Sequence, residues 1–221
     1  MSRETRRCAV RSEPAAARGG DSHGNASSGW PEFLRAWLRN PARVGAVWPS
    51  SPRLSAKLAR IAPGHGAPVV VELGPGTGAV TTQVSRRLPP EGRHLAVELD
   101  PGMARYLQER HPGVEVVNGD ARKLGALLAE RDITSVDAVI SGLPWSLFDR
   151  VMQQEILDQV VGAVGETGAF ATFAYSHTLP MPSARRFKAT LHDTFDEVVM
   201  TRTVWRNLPP AFCFLCRRPR R

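Results

Sequence analysis

The run VVVELGPGTG at residues 69–78 limits what this chain can fold into more than any other stretch. VVVEL is an apolar run that ends in turn residues, as a buried parallel strand does. Gly74, Gly76 and Gly78 follow at alternate positions. They allow a tight turn, let the backbone approach a ligand, and bring the next helix against the strand. Strands then alternate with helices. Strands are expected at 94–99, 114–120, 136–144 and 168–175, and helices at about 78–88, 101–111, 121–131, 147–163 and 183–193. Two closing strands, 195–205 and 211–218, are expected to meet through the tight loop NLPP. This order predicts an α/β fold: a doubly wound, seven-stranded, mostly parallel sheet with one antiparallel strand and helices on both faces.

Composition narrows the class. With 221 residues, 42% hydrophobic and 23% charged, the chain can bury a full core, so fibrous and wholly disordered readings are excluded. Three cysteines, Cys8, Cys213 and Cys216, exclude a disulfide framework and fit a reducing compartment. Cys213 and Cys216 stand three apart in an expected strand, on opposite faces, and the histidines show no metal spacing, so no metal is expected. No stretch approaches the roughly 18–20 apolar residues of a membrane span. The expected location is cytoplasmic, with peripheral association at the inner face of the membrane. The 29 Lys and Arg against 21 Asp and Glu give a net charge of +8. That balance favours an anionic partner, phospholipid surface or nucleic acid. Lysine occurs only at Lys57, Lys123 and Lys188, so the excess is arginine, and a compositional habit explains it equally well.

Residues 1–29 read as a disordered basic tail, and 30–62 as amphipathic helices forming a lid over a domain spanning 63–221. In the first helix Phe33, Leu34, Trp37 and Leu38 share a face, Arg35 and Arg39 point away, and Pro41 ends the run. Trp30, Trp37 and Trp48 with nearby arginines suit a lipid headgroup boundary; packing on the core as a lid is the other reading. Ser50, Ser51 and Pro52 then open a second helix with Leu54, Leu58 and Ile61 inward.

Two acids sharpen the glycine loop. Glu72 lies two residues before Gly74, and Glu98 ends the second strand, where a carboxylate can accept both hydroxyls of a ribose. A dinucleotide oxidoreductase shares the G-x-G-x-x-G/A spacing, but no Tyr-x-x-x-Lys pair follows. With Asp120 after the third strand, the pattern resembles class I S-adenosylmethionine-dependent methyltransferases. The resemblance implies S-adenosylmethionine as cofactor, held by Gly74, Gly76, Thr77 and Gly78 with Glu72. It implies ribose contacts at Glu98 and Leu99, adenine contacts at Asp120 and Ala121, and a segment facing the transferred methyl at Ser141, Gly142, Leu143 and Pro144.

The order FLRAWLRNPARVGAVWPSSPRLSAKLA, VVELGPGTGAVT, SGLPW, FAY and WRNLPPAF, over about residues 31–218, is similar to bacterial phospholipid N-methyltransferases. The implied reaction is methyl transfer to the amine of phosphatidylethanolamine or its methylated derivatives at an anionic membrane. The core also resembles rRNA adenine dimethylases, whose motif after strand four is N-[LIV]-P-[YF]. Here Ser141 replaces the Asn that grips a base's exocyclic amine, although Trp145 can still stack on a base. No RNA-recognition appendage is evident beyond the short tail, so nucleic acid is not the expected partner. A soluble small-molecule amine is the close alternative to a lipid.

An attacking amine must be neutral, and its N–H groups need acceptors. The candidates are the Tyr175 hydroxyl and the backbone carbonyls from Ser141 through Gly142 to Leu143. Ser50 and Ser51, with the helix amides they precede, can meet the methionine carboxylate or simply cap the helix. The acceptor side is expected to include Trp37, Trp48, Trp145, His177, Asn207 in its turn, and Arg185 in a basic cluster facing a phosphate.

Overall fold

A computed structural model describes residues 50–220. The expected tail at 1–29, the first lid helix, Trp37 and Trp48 lie outside the described residues. The elements are α1 (Pro52–Ala59), β1 (Val69–Leu73), α2 (Ala79–Ser85), β2 (Arg93–Glu98), α3 (Pro101–Arg110), β3 (Glu115–Asn118), α4 (Leu124–Ala129), β4 (Ala138–Ser141), α5 (Arg150–Val164), β5 (Ala169–Tyr175), α6 (Pro182–Thr194), β6 (Phe195–Met200) and β7 (Ala211–Pro219). They form one seven-stranded sheet in the order β3-β2-β1-β4-β5-β7-β6. β7 alone runs antiparallel, against both β5 and β6. Among the described residues no helix is long and apolar enough to cross a membrane.

Side-chain alternation along the strands splits the core in two. Val71 and Leu73 of β1 face a cluster with Leu124 of α4, Ile156 and Val160 of α5, and Phe187 and Leu191 of α6. Val70 faces the opposite side, with Leu54 and Leu58 of α1 and Val80 and Val84 of α2. Cys213 belongs to the second cluster and Cys216 to the first, so the two thiols sit on opposite faces of the sheet. Leu54 and Leu58 are both 0% exposed. At roughly 1.5–3 kcal/mol each, they hold α1 more firmly than its Ser51 cap, which contributes about 1 kcal/mol.

Element ends moved where side chains capture backbone groups. β3 stops at Asn118, whose amide donates to the carbonyls of Glu98 and Leu99. The expected helix at 121–131 divides into a 3₁₀ turn, Ala121–Lys123, and α4. α5 starts at Arg150 because Asp149 caps it, accepting from the Met152 N–H at 2.9 Å. The largest departure lies near the carboxyl end. β6 ends at Met200, and 201–210 form an ordered loop rather than a tight turn. Within it Thr201 N–H reaches the Cys213 carbonyl and Val204 N–H the Ala211 carbonyl. Pro209 and Pro210 have no N–H to extend a ladder.

Candidate active site

The sheet order changes direction between β1 and β4, which opens a crevice at their carboxyl ends. The three glycines after β1 all take positive φ: +67° at Gly74, +55° at Gly76 and +83° at Gly78. Their roles differ. A Cβ on Gly74 would lie 2.7 Å from Leu143, and one on Gly78 2.7 Å from the His111 ring, so these two allow close packing. A Cβ on Gly76 would meet nothing within 4 Å, so this glycine borders open space. Gly142 closes the other lip: its Cβ would lie 2.5 Å from the Gly74 carbonyl oxygen.

Glu98 stands beside the open space. Its Oε2 accepts from the Gly76 N–H at 3.2 Å and its Oε1 from the Asp100 N–H at 3.0 Å. It is 1% exposed. Burial raises its pKa, and the amide bonds pull the other way without cancelling the effect. Glu72 is equally buried and meets His94 Nε2 at 3.2 Å. This pair joins neighbouring parallel strands; nothing in the local sequence ties two positions 22 residues apart. Asp120 binds Arg122 through both carboxylate oxygens, the shortest contact being 2.6 Å, and caps the 3₁₀ turn that starts at Ala121.

On the far side of Gly142 lies a cavity of about 240 Å³. The segment 142–147 after β4, Phe173 to Tyr175 at the end of β5, and Phe187 of α6 line it, among others. Among the described residues no Asp, Glu, Lys or Arg is in the lining. The Tyr175 hydroxyl is buried and has no partner among the described residues. Its ring meets Phe173 edge-on at 5.4 Å and lies 5.7 Å from His177. Burial pushes the phenol pKa upward, so the hydroxyl stays neutral.

The three expected carbonyls divide. That of Ser141 accepts the Thr172 hydroxyl at 3.1 Å, and that of Leu143 accepts the Trp145 N–H at 3.0 Å. Among the described residues only the Gly142 carbonyl of the three has no partner. Ser141 itself is a fastening: its Oγ accepts from Leu143 N–H and from Trp145 Nε1–H. Trp145 is 3% exposed and stacks on Phe187 at 4.5 Å, so it forms a wall of the cavity.

Two acceptor-side expectations are corrected. Asn207 is 2% exposed and outside the lining; its Oδ1 accepts from Ser51 N–H at 2.8 Å and its Nδ2 donates to the Pro209 carbonyl at 2.7 Å. It is a clamp between the 201–210 loop and the start of α1. Arg185 is exposed on α6 and does not line the cavity, although Ala184 does. At α1 the side-chain cap is Ser51, while Ser50 offers its carbonyl to the Ser55 hydroxyl. His177 lines the cavity. Phe173 and Phe187 were not singled out from sequence, because single apolar residues in a strand and a helix read as core.

S-adenosylmethionine fits the other half of the crevice. Gly76 borders open space, and the buried Glu98 carboxylate stands beside it, bonded to the Gly76 amide. The comparisons agree. A family model described as a methyltransferase domain matches residues 70–168. The ornithine lipid N-methyltransferase of Singulisphaera acidiphila is 36% identical over 188 residues, 84% of this chain and 94% of that protein. Among solved structures, Aeropyrum pernix fibrillarin with bound S-adenosyl-L-methionine aligns with a TM-score of 0.55 at 17% identity, covering 73% of this chain and 72% of that one. Human methyltransferase-like protein 13 in complex with SAH gives 0.57 at 17% identity, over 75% and 80% of the two chains. These two likenesses speak for the fold alone. With that architecture and that lipid-methylating relative, the chain belongs to the class I S-adenosylmethionine-dependent methyltransferases, in the family of the ornithine lipid N-methyltransferase.

Proposed function

We propose that this enzyme methylates the primary amine of a membrane aminolipid at an anionic membrane surface. The observation that carries the reading is the cavity after β4: among the described residues its lining is mostly apolar and free of carboxylates, and it includes Tyr175, whose buried hydroxyl has no partner among them. An amine entering it leaves water, and desolvation favours the neutral, nucleophilic form. A carboxylate in the wall would do the opposite. The Tyr175 hydroxyl and the Gly142 carbonyl accept the amine's N–H bonds and aim its lone pair toward the glycine loop. When bound, S-adenosylmethionine supplies an electrophilic methyl on a sulfonium leaving group, so positioning is most of what the protein must add. His177, exposed at the cavity's edge, is placed to pass the released proton to solvent. The faces of Trp145, Phe173 and Tyr175 favour the methylated ammonium that forms.

The relative's substrate makes ornithine lipid the first acceptor to test. Phosphatidylethanolamine, with the same primary amine, is the second. Purified protein is incubated with deuteromethyl-labelled cofactor and vesicles holding both lipids and an anionic lipid, and the lipids are read by mass spectrometry. Label on either headgroup amine supports the proposal and names the acceptor. No label on either, with cofactor binding confirmed by calorimetry, overturns it in favour of a soluble amine.

A further inference from the structure

The edge of the sheet beside the acceptor cavity carries an apolar surface that the chemistry above does not use. Val199 and Met200 at the end of β6 are 57% and 50% exposed; Trp205 and Leu208 in the following loop are 77% and 70% exposed. Arg202 and Arg206 flank Trp205 and are also exposed. The Lys57 ammonium joins them, donating to the Arg202 carbonyl at 2.7 Å. No acidic residue occurs from Val198 to Pro210. The loop is firmly held from beneath: Asn207 is buried between Ser51 and Pro209, and Val204 N–H reaches the Ala211 carbonyl at 2.7 Å. Trp205 and Leu208 are therefore presented by a fastened scaffold. The loop also adjoins the cavity, since Pro209 lines it and the Pro210 carbonyl accepts from Ser176 N–H.

We infer that residues 199–208 are the surface by which this protein docks on an anionic phospholipid bilayer, placing the Pro209 wall of the acceptor cavity at the contact. Tryptophan and leucine suit the headgroup level, and the arginines complement anionic lipid. A second copy of this chain would bring like charges together, because the patch is basic throughout. The inference rests on the lipid-amine reading above.

The test is flotation of the full chain with phosphatidylcholine vesicles, with and without phosphatidylglycerol. Wild type floats with the anionic vesicles. The double variant Trp205→Ser/Leu208→Ser loses at least about tenfold in partitioning. Arg202→Ala/Arg206→Ala loses about 25-fold on anionic vesicles only. Equal flotation of both variants and wild type overturns the inference, as does a wild type that stays unbound. So does light scattering that finds a dimer broken by Trp205→Ser/Leu208→Ser while flotation is unchanged. Turnover on a short-chain aminolipid below its micelle concentration separates the two readings. Equal rates for wild type and variants there, with flotation lost, support the docking surface. Failure of wild type there, with cofactor bound, overturns the lipid-amine reading instead.

Discussion

The two halves of the crevice are built from different material. The cofactor side is backbone: three glycines within residues 74–78, with amides of Gly76 and Asp100 bonded to one buried carboxylate. The cavity side is side chains drawn from 142 to 214, mostly aromatic and aliphatic; Tyr175 among them has a buried hydroxyl with no partner among the described residues. A backbone site tolerates little added volume where it is packed, as at Gly74, Gly78 and Gly142, but Gly76 has room, and the site is indifferent to most neighbouring side chains. A side-chain site can be reshaped residue by residue. The contrast teaches where such a scaffold can vary: the glycine-loop side is set by backbone geometry, the cavity side by composition.

The sharpest break of this contrast is Gly142→Ala, at the seam between the halves. The added methyl faces the Gly74 carbonyl at 2.5 Å, and neither backbone can move cheaply. We expect a loss of about 1–3 kcal/mol or more in stability, together with loss of cofactor binding, read by thermal melting and calorimetry.

Glu98→Gln tests the cofactor half alone. Hydrogen bonds to charged groups contribute about 1.5–3 kcal/mol, so affinity for S-adenosylhomocysteine should fall about 10- to 100-fold with the fold retained. The pH dependence has a definite sign. Burial raises the Glu98 pKa, so the folded chain holds that proton more tightly than the unfolded chain. Its contribution to stability is full below the unfolded carboxylate pKa and is lost as pH rises through the folded value. Cofactor affinity rises over the same window as the carboxylate ionises. Both trends should be missing from Glu98→Gln in a pH series of melts and titrations; their persistence would place the titration elsewhere.

Tyr175→Phe tests the acceptor half. The hydroxyl has no partner among the described residues, so its removal should leave the melting temperature unchanged or higher. We expect turnover to fall about 10- to 100-fold with cofactor affinity intact. A fall in affinity would put the hydroxyl on the wrong side of the seam. Arg185→Ala should do least: within about 0.5 kcal/mol in stability and no change in KM for the lipid, because the side chain points to solvent rather than into the cavity. A raised KM would restore Arg185 to the acceptor side.

The cofactor half was legible in the sequence because its parts are contiguous. Strand, glycine turn and helix occupy one stretch and each acid lies in or just after its own strand, although the bond from Gly76 to Glu98 spans 22 positions and needs β2 beside β1. The acceptor half was legible only in part. Tyr175 and the 141–144 segment could be named because they end strands at the sheet's carboxyl edge. Asn207 reads as a turn residue near the pocket, yet its amide is spent on Ser51, 156 positions away. Arg185 reads as a phosphate ligand, yet the helix turns it outward while Ala184 faces the cavity.

From sequence alone followed the strand order's class, the single reversed strand, the glycine loop and the opposite-facing cysteines, because local period and turn chemistry determine them. Tertiary structure alone decided that Glu72 would meet His94, that Gly142 would close on Gly74, and that Ser141 would hold Trp145 over Phe187. It also decided that Trp205 would stand exposed in the loop whose Pro209 lines the cavity. These are contacts between elements brought together by the sheet order, and no local rule of spacing reaches across a crossover.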